Sequence, residues 1–323
     1  MDWSDGVRSL RRGLGIASRV AIARLTEDTP KVSLAGLSAR GRFAVLPEFG
    51  PNPGRLQLRV YLPPVPVRDG APLITLLHGC GQDAASFAAE TGWTALADRL
   101  GLPLVLPEQQ ELNNQARCFQ WFLPSETERR HGEAGSIAAM ISAAAVRFNS
   151  DPRRVFVAGL SAGGAMAAAM LAAYPDLFAA GAVCAGLPVG SAHSAIQALA
   201  RMAHGAPDCD ADEWIERVRR IAPRDYSGAW PRLSIWHGEA DEIVVADNGR
   251  KLAAQWRALH GLPEEPSHQS RSHQRWRDAL ELWMFPGFGH AWPVGRGGGL
   301  PAQFTAPAPV AAVPKIARFW GIA

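Results

Sequence analysis

Val155-Phe156-Val157-Ala158-Gly159-Leu160-Ser161-Ala162-Gly163-Gly164-Ala165-Met166 is the stretch on which the fold turns. A short β-branched and aromatic run, the composition of a strand, meets a sharp turn. An alanine-rich run of strong helix formers, Ala165 to Ala173, follows at once. The turn reads Gly-x-Ser-x-Gly with Ser161 at its tip, which between a strand and a helix is a nucleophile elbow. The serine has to sit on a strained turn for its hydroxyl to stand above the sheet. Side chains at the flanking positions would collide with strand and helix, which accounts for Gly159 and Gly163. The partial positive charge of the helix N-terminus then faces the place where an oxyanion forms. A chain with 32 glycines also produces this pattern by chance, and a plain strand-to-helix connector is the competing reading. The elbow therefore requires a base, an acid and an oxyanion hole elsewhere in the chain.

Outward from the elbow, apolar runs alternate with helical patterns. Arg42–Pro47 and Leu56–Leu62 read as two antiparallel opening strands, with Pro-Asn-Pro-Gly at 51–54 as the turn between them. Leu73–Leu77, Leu102–Leu106, residues 180–184, Leu233–His237 and a last strand, Leu280–Phe285, are apolar as strands buried on both faces are. Helices are predicted over Trp93–Leu100, Ile137–Phe148, Asn248–His260 and Val310–Trp320, with a polar loop from Glu108 to Phe122. Residues 190–230 lose the rhythm and read as a helical excursion over the sheet edge or the site. The result is an α/β fold: a doubly wound, mostly parallel sheet with helices on both faces. It is divided as a leader at 1–38 and a catalytic domain at 39–323, with no internal repeat.

In this architecture the acid and then the histidine follow the serine, each on a loop past a later strand. Gly238-Glu239-Ala240-Asp241-Glu242 follows one such strand and Pro286-Gly287-Phe288-Gly289-His290 the other. Asp241 is preferred over Glu239, Glu242 and Asp247 because four residues beyond the strand give the loop room to turn back. His290 is preferred over His260, His268 and His273, which lie in a polar segment. A serine hydroxyl is a poor nucleophile; a histidine takes its proton and an aspartate fixes the histidine tautomer. Ala162, next to the nucleophile, and Cys80, in the loop His78-Gly79-Cys80-Gly81-Gln82, are the candidate oxyanion N–H donors.

Composition bounds the rest. The chain has 323 residues, 47% of them hydrophobic, and a formal net charge of +3 with no basic block, which excludes a nucleic-acid partner. No apolar run reaches the length of a membrane span. Residues Met1–Leu25 are basic and roughly amphipathic; Arg19 interrupts any secretory core, so the leader reads as a surface or partner-facing helix. That points to the cytoplasm, with secretion or the periplasm as the alternative. None of the four cysteines forms a Cys-x-x-Cys pair, which argues against zinc, and Cys184 reads as a small buried hydrophobe. Trp121 and Trp292, close in sequence to the proposed site, read either as flat walls for an acyl chain or aryl ring or as core packing.

The chain resembles the polyhydroxybutyrate depolymerase family of esterases within the α/β-hydrolases, and is similar to the feruloyl and acetylxylan esterases. The motifs that carry this are Leu77–Gln82, Arg117-Cys118-Phe119-Gln120-Trp121-Phe122, Gly159–Met166, Trp236-His237-Gly238-Glu239-Ala240-Asp241 and Gly289-His290-Ala291-Trp292-Pro293. They fall in order between residues 40 and 320. The resemblance implies hydrolysis of carboxylic esters by Ser161, Asp241 and His290, with no cofactor and no metal. It also implies a polyester or small-ester substrate, short-chain hydroxyalkanoates first, plant cell-wall esters second. A non-catalytic hydrolase-fold binding protein is the alternative of another class. Gly81 and Gln120 stand where the family often has Thr and Asn, which marks the acyl pocket as a place of difference. The signal, linker and polymer-binding domain usual in secreted polymer-degrading members are not seen, which counts against crystalline polymer. The resemblance puts cysteines at 80 and 118, so these two are expected close together and able to form a disulfide; two reduced thiols would suit a cytoplasmic location.

Overall fold

A computed structural model describes residues 41–295 and 302–323; the leader expected over 1–38 lies outside the described residues. Its centre is a ten-stranded sheet in the order β1-β2-β4-β3-β5-β6-β7-β10-β9-β8. The strands are β1 (Arg42–Val45), β2 (Gln57–Leu62), β3 (Leu73–Leu77), β4 (Leu104–Glu108), β5 (Val155–Leu160), β6 (Ala180–Cys184), β7 (Arg232–Gly238), β8 (His268–Gln269), β9 (His273–Trp276) and β10 (Leu280–Phe285). From β4 to β10 neighbouring strands run parallel; β1 and β2 at one edge, and β9 and β8 at the other, pair antiparallel. Every residue of β3, β5, β6 and β10 is buried, because helices cover both faces of the sheet.

The order β4-β3-β5 is decisive for the site. From β3 the chain steps outward to β4, then crosses back to pair β5 on the other side of β3. The strand order therefore reverses between β3 and β5, and a crevice opens at the carboxyl ends of those two strands. The elbow leaves β5 at that point. Helix α5 (Ala162–Ala173) follows it and is buried on every side, so it is apolar all round rather than amphipathic. The remaining helices are α1 (Ala84–Glu90), α2 (Trp93–Leu100), α3 (Pro124–Thr127), α4 (Gly132–Arg147), α6 (Ala195–His204), α7 (Ala211–Arg219), α8 (Asp247–Leu259) and α9 (Ala312–Trp320). The excursion at 190–230 is thus α6 and α7.

Four local differences from the sequence reading have physical causes. β4 starts at Leu104 because Gly101 ends α2 in a left-handed cap and the Leu102 N–H is spent on Ala97 O, 3.0 Å away. α4 begins at Gly132, five residues before Ile137, because the buried polar Glu133 and Ser136 hide its first turn from an apolar pattern. α1 was obscured by its small residues; Asp83 caps it, accepting the Ser86 N–H at 2.8 Å. β10 is not the last strand: β11 (Trp292–Gly295) and β12 (Thr305–Ala308) form a separate parallel pair. Pro293 and Pro307 within them remove strand signal.

Candidate active site

Ser161 takes φ 57° and ψ −120°, a left-handed backbone in a residue with a Cβ, and its N–H donates to Cys184 O at 2.9 Å. The chain holds this strain because the elbow is closely packed on all sides. A Cβ on Gly159 would overlap the Gly163 carbonyl, and one on Gly163 would overlap the Leu77 and His78 carbonyls at the end of β3. The elbow is thereby pressed against the loop that leaves β3.

That loop, residues 78–82, spends its donors one by one. The Gly79 N–H donates to Gln82 Oε1 at 2.8 Å, the Gly81 N–H to Ala116 O at 2.7 Å and the Gln82 N–H to Gly79 O at 3.3 Å. Among the described residues the Cys80 N–H donates to no protein acceptor. Gly79 lies against the elbow; a Cβ there would sit 3.6 Å from Ser161 Cβ. Ala162 is the first residue of α5, so its N–H is one of the donors a helix N-terminus leaves unspent. Gly81 takes φ +75°, a turn that glycine makes without strain and a residue with a Cβ would not. Cys80 and Cys118 are joined in a disulfide with Cα atoms 4.3 Å apart, tying this loop to the one that carries Trp121. His78 is fully buried; its Nδ1–H donates to Gly79 O at 2.8 Å and its Nε2 accepts the Gln109 N–H at 3.1 Å. Burial lowers the His78 pKa, and both contacts suit a neutral ring.

The acid and the histidine meet at the ends of the neighbouring strands β7 and β10, where Gly238 pairs with Phe285. The two loops beyond are stitched together by Glu239 N–H to Phe285 O at 2.9 Å and Ala240 N–H to Phe288 O at 3.0 Å. His290 Nδ1 lies 2.8 Å from Asp241 Oδ2. Asp241 Oδ1 accepts the Ile243 and Val244 N–H groups at 2.9 and 2.8 Å, which fixes the carboxylate plane. Burial pushes the Asp241 pKa up, but hydrogen bonds from His237 and His290 outweigh it and hold the carboxyl well below its ordinary range. The rival acids are engaged elsewhere or exposed: Glu239 faces Arg250, Asp247 faces Lys251, and Glu242 is in solvent. Of the rival histidines, His260 bonds Pro231 O, His273 pairs with Glu281, and His268 is exposed.

Cys184 does more than fill space. Its carbonyl takes the Ser161 N–H, and its thiol donates to Ala291 O at 3.4 Å, beside His290. One residue of β6 thus connects the elbow to the histidine loop. Burial, with the Asp241 charge nearby, raises its thiol pKa well above the ordinary value, so it stays protonated and able to donate.

The two tryptophans part ways. Trp121 is half-buried and packs against the buried cluster of Ala165 (one turn along α5 from Ser161), Leu187 and Val244 after Asp241. It lines a cavity of about 280 Å³ with Phe122, Ala165 and Ala169, and with the charged Glu213, Arg217 and Arg220. Trp292 is 0% exposed and packs against Phe87 and Trp93, with ring centroids 5.6 and 6.2 Å away. The substrate wall expected of Trp292 is corrected to core packing, because its neighbours leave the ring no exposed edge.

Comparison with known proteins gives the family and the fold. The family model for "Esterase PHB depolymerase" matches residues 56–276. The chain belongs to this family. Poly(3-hydroxyalkanoate) depolymerase C of Paucimonas lemoignei is 37% identical to this family member over 261 residues, 78% of this chain and 62% of that protein. The chain therefore spans under two thirds of that depolymerase. An acetylxylan esterase of Coprinopsis cinerea is 33% identical over 265 residues, 78% of this chain and 70% of its own length. Among solved structures, an acetyl xylan esterase from Aspergillus awamori superposes with a TM-score of 0.76 at 22% identity, covering 87% of this chain and all of that one. The chain thus has an α/β-hydrolase fold. Among the described residues no helix is long and apolar enough to cross a membrane, and no group of three or more His, Cys, Asp or Glu could hold a metal ion.

Sequence reasoning missed His237. Its Nε2–H donates to Val244 O at 2.8 Å and lies 3.4 Å from Asp241 Oδ2. The signal was present in His237-Gly238-Glu239-Ala240-Asp241, a histidine four residues before the acid, but at the end of an apolar strand it reads as strand.

Proposed function

We propose that the protein is a serine esterase that cleaves short-chain hydroxyalkanoate esters, as oligomers or polymer, through an acyl-enzyme. Ser161 Oγ attacks the ester carbonyl carbon while His290 Nε2 takes its proton; Asp241 holds the His290 Nδ1–H and stabilises the imidazolium. The carbonyl oxygen, now negative, accepts from the Cys80 and Ala162 N–H groups. His290 then protonates the leaving alcohol, and a water activated by the same imidazole releases the acid. The observation that carries the reading is the 2.8 Å His290–Asp241 pair at the same sheet end as a positive-φ serine and a loop with an unspent N–H.

The Trp121 cavity, which reaches Ala165 one turn along α5 from Ser161, supports a small acyl or alcohol unit by its size, with an apolar wall at Trp121, Phe122 and Ala169 and a charged one at Glu213, Arg217 and Arg220. The 33% identity to an acetylxylan esterase favours a second reading, an esterase of plant cell-wall acyl groups. The Cys80–Cys118 disulfide supports an oxidising compartment, so secretion or the periplasm is preferred to the cytoplasm. Parallel assays on hydroxybutyrate oligomers, acetylated xylan and methyl ferulate test the substrate. Faster turnover of the oligomers is expected; faster turnover of acetylated xylan or methyl ferulate would move the protein to the second reading. A fluorophosphonate that labels wild type but not Ser161→Ala is expected; labelling elsewhere would overturn the nucleophile.

A further inference from the structure

Beneath the two loops tied by the disulfide lies a carboxyl that the cleavage chemistry leaves unused. Glu133, in the first turn of α4, is 0% exposed. A carboxylate in a first helical turn normally faces solvent and complements the helix dipole. This one points inward and is met by donors from two segments. Its Oε2 accepts the Gln120 backbone N–H at 2.8 Å; its Oε1 accepts Gln109 Nε2 at 2.5 Å and Gln120 Nε2 at 3.3 Å. Its own N–H is occupied by Glu126 Oε2 at 3.0 Å. Burial pushes the carboxyl up to about 8 against the pull of these bonds, so its position there carries a cost that a surface glutamate would not meet.

The partners lead to the site by short paths. Gln120 is the residue before Trp121, the wall of the cavity. Gln109 donates from the same Nε2 to Cys118 O at 3.2 Å, and Cys118 holds Cys80 covalently. The Gln109 backbone N–H supports His78 Nε2, and His78 in turn holds Gly79 O, the carbonyl of the peptide whose N–H belongs to Cys80. The Gln109 amide oxygen is also used, accepting from Gln110 N at 3.0 Å and Asn113 Nδ2 at 2.9 Å. Gln109 cannot swing away without breaking bonds at both ends.

We infer that Glu133 is the positioning residue of the ester-cleaving site, setting the Cys80 N–H donor and the Trp121 wall through one buried carboxyl. The inference rests on the proposed roles of Cys80 and Trp121. Donors aimed at a developing oxyanion act only when their geometry is fixed, and removing one such donor costs on the order of 10² to 10³ in kcat. Above about pH 8, where the carboxyl is ionised, Glu133→Gln keeps the volume but presents an amide NH₂ to a site built entirely of N–H donors. One donor loses its acceptor and the loops shift.

The test uses the full chain at about pH 9, above the Glu133 carboxyl, with p-nitrophenyl butyrate as substrate and phenylboronic acid as a tetrahedral probe of the oxyanion site. Glu133→Gln is expected to lower kcat by about 10²-fold and to weaken phenylboronic acid by a similar factor, with KM rising only a few-fold. Ile137→Ala, buried one turn along the same helix, is the control: it lowers stability and leaves kcat within about twofold. Should Glu133→Gln fail to fold, Gln109→Met removes one arm of the network and is expected to cost about tenfold in kcat. Wild-type kcat and phenylboronic acid affinity in Glu133→Gln, or in Gln109→Met where that is the variant measured, would overturn the inference. So would an equal loss of both in Ile137→Ala. Ser161→Ala separates the two levels: if it remains active, the cleavage mechanism itself is wrong; if it is inactive while Glu133→Gln is unaffected, only the positioning role falls.

Discussion

The two sides of the crevice are built on different plans. On the β3 side the candidate functional group is a backbone N–H donor on a loop, and an N–H carries no charge of its own to fix its direction. The structure fixes that loop from outside, by the Cys80–Cys118 bond and by the buried carboxyl of Glu133. On the β7–β10 side the functional groups are side chains, and they hold one another. His290 bonds Asp241, Asp241 takes two backbone N–H groups of its own loop, and no covalent tie is present among the described residues. A backbone donor has to be positioned by its surroundings, whereas a charged side chain carries part of its own positioning energy.

The largest effects test whether both sides serve one reaction. Ser161→Ala should lower kcat by about 10⁴ to 10⁶, and Asp241→Asn by about 10⁴, with the fold intact by circular dichroism. Ester hydrolysis within tenfold of wild type in Asp241→Asn would separate the β7–β10 side from the chemistry, and the same result in Ser161→Ala would overturn the nucleophile. The next effect tests the external ties. Cys80→Ser with Cys118→Ser opens a loop of 38 residues and should cost about 3–4 kcal/mol in denaturant unfolding. It should also lower kcat by about tenfold with little change in KM, because an oxyanion donor acts in the transition state. A KM effect without a kcat effect would mean that the bond shapes the cavity rather than the donor.

The smallest effect sharpens the contrast, since the two sides carry opposite proton linkages. The Glu133 carboxyl is raised from 4.5 to about 8 in the folded chain. The folded state therefore keeps a proton that the unfolded state releases, and stability falls as pH rises from about 4.5 to about 8, then levels off. Asp241 is depressed instead, so its contribution is present above its unfolded value near 3.9 and is lost as pH falls toward its folded value. Urea unfolding against pH should show a shallower decline above pH 4.5 in Glu133→Gln and a weaker loss in acid in Asp241→Asn. Identical pH slopes in wild type and Glu133→Gln would show that Glu133 titrates normally and carries no burial cost.

Sequence and structure agree best where chemistry dictates pattern. The strand-turn-helix around Ser161 could be read because strain and close approach admit few residues at Gly159 and Gly163. Asp241 and His290 could be singled out because parallel strands deliver their loops to one end of the sheet. What escaped were residues whose role depends on what lies opposite them. Glu133 in a helical first turn has the local signature of a solvated acid, and only the fold brings Gln109 and Gln120 against it. Trp292 follows His290 by two residues, yet its ring turns into the packing of Phe87 and Trp93, and sequence proximity carries no information on that direction. The β11–β12 pair was hidden by its prolines, which weigh against a strand in any local reading.

The left-handed backbone of Ser161 sets folding and activity against each other at one residue. A non-glycine residue in such a conformation costs on the order of 1–3 kcal/mol, borne by the rest of the core. The working protein is therefore not the most durable version of its own fold. Ser161→Gly, which relieves the strain and deletes the hydroxyl, should melt at a higher temperature than wild type while being inert toward esters. Selection for thermal endurance alone would replace Ser161, the proposed nucleophile, before it touched the sheet.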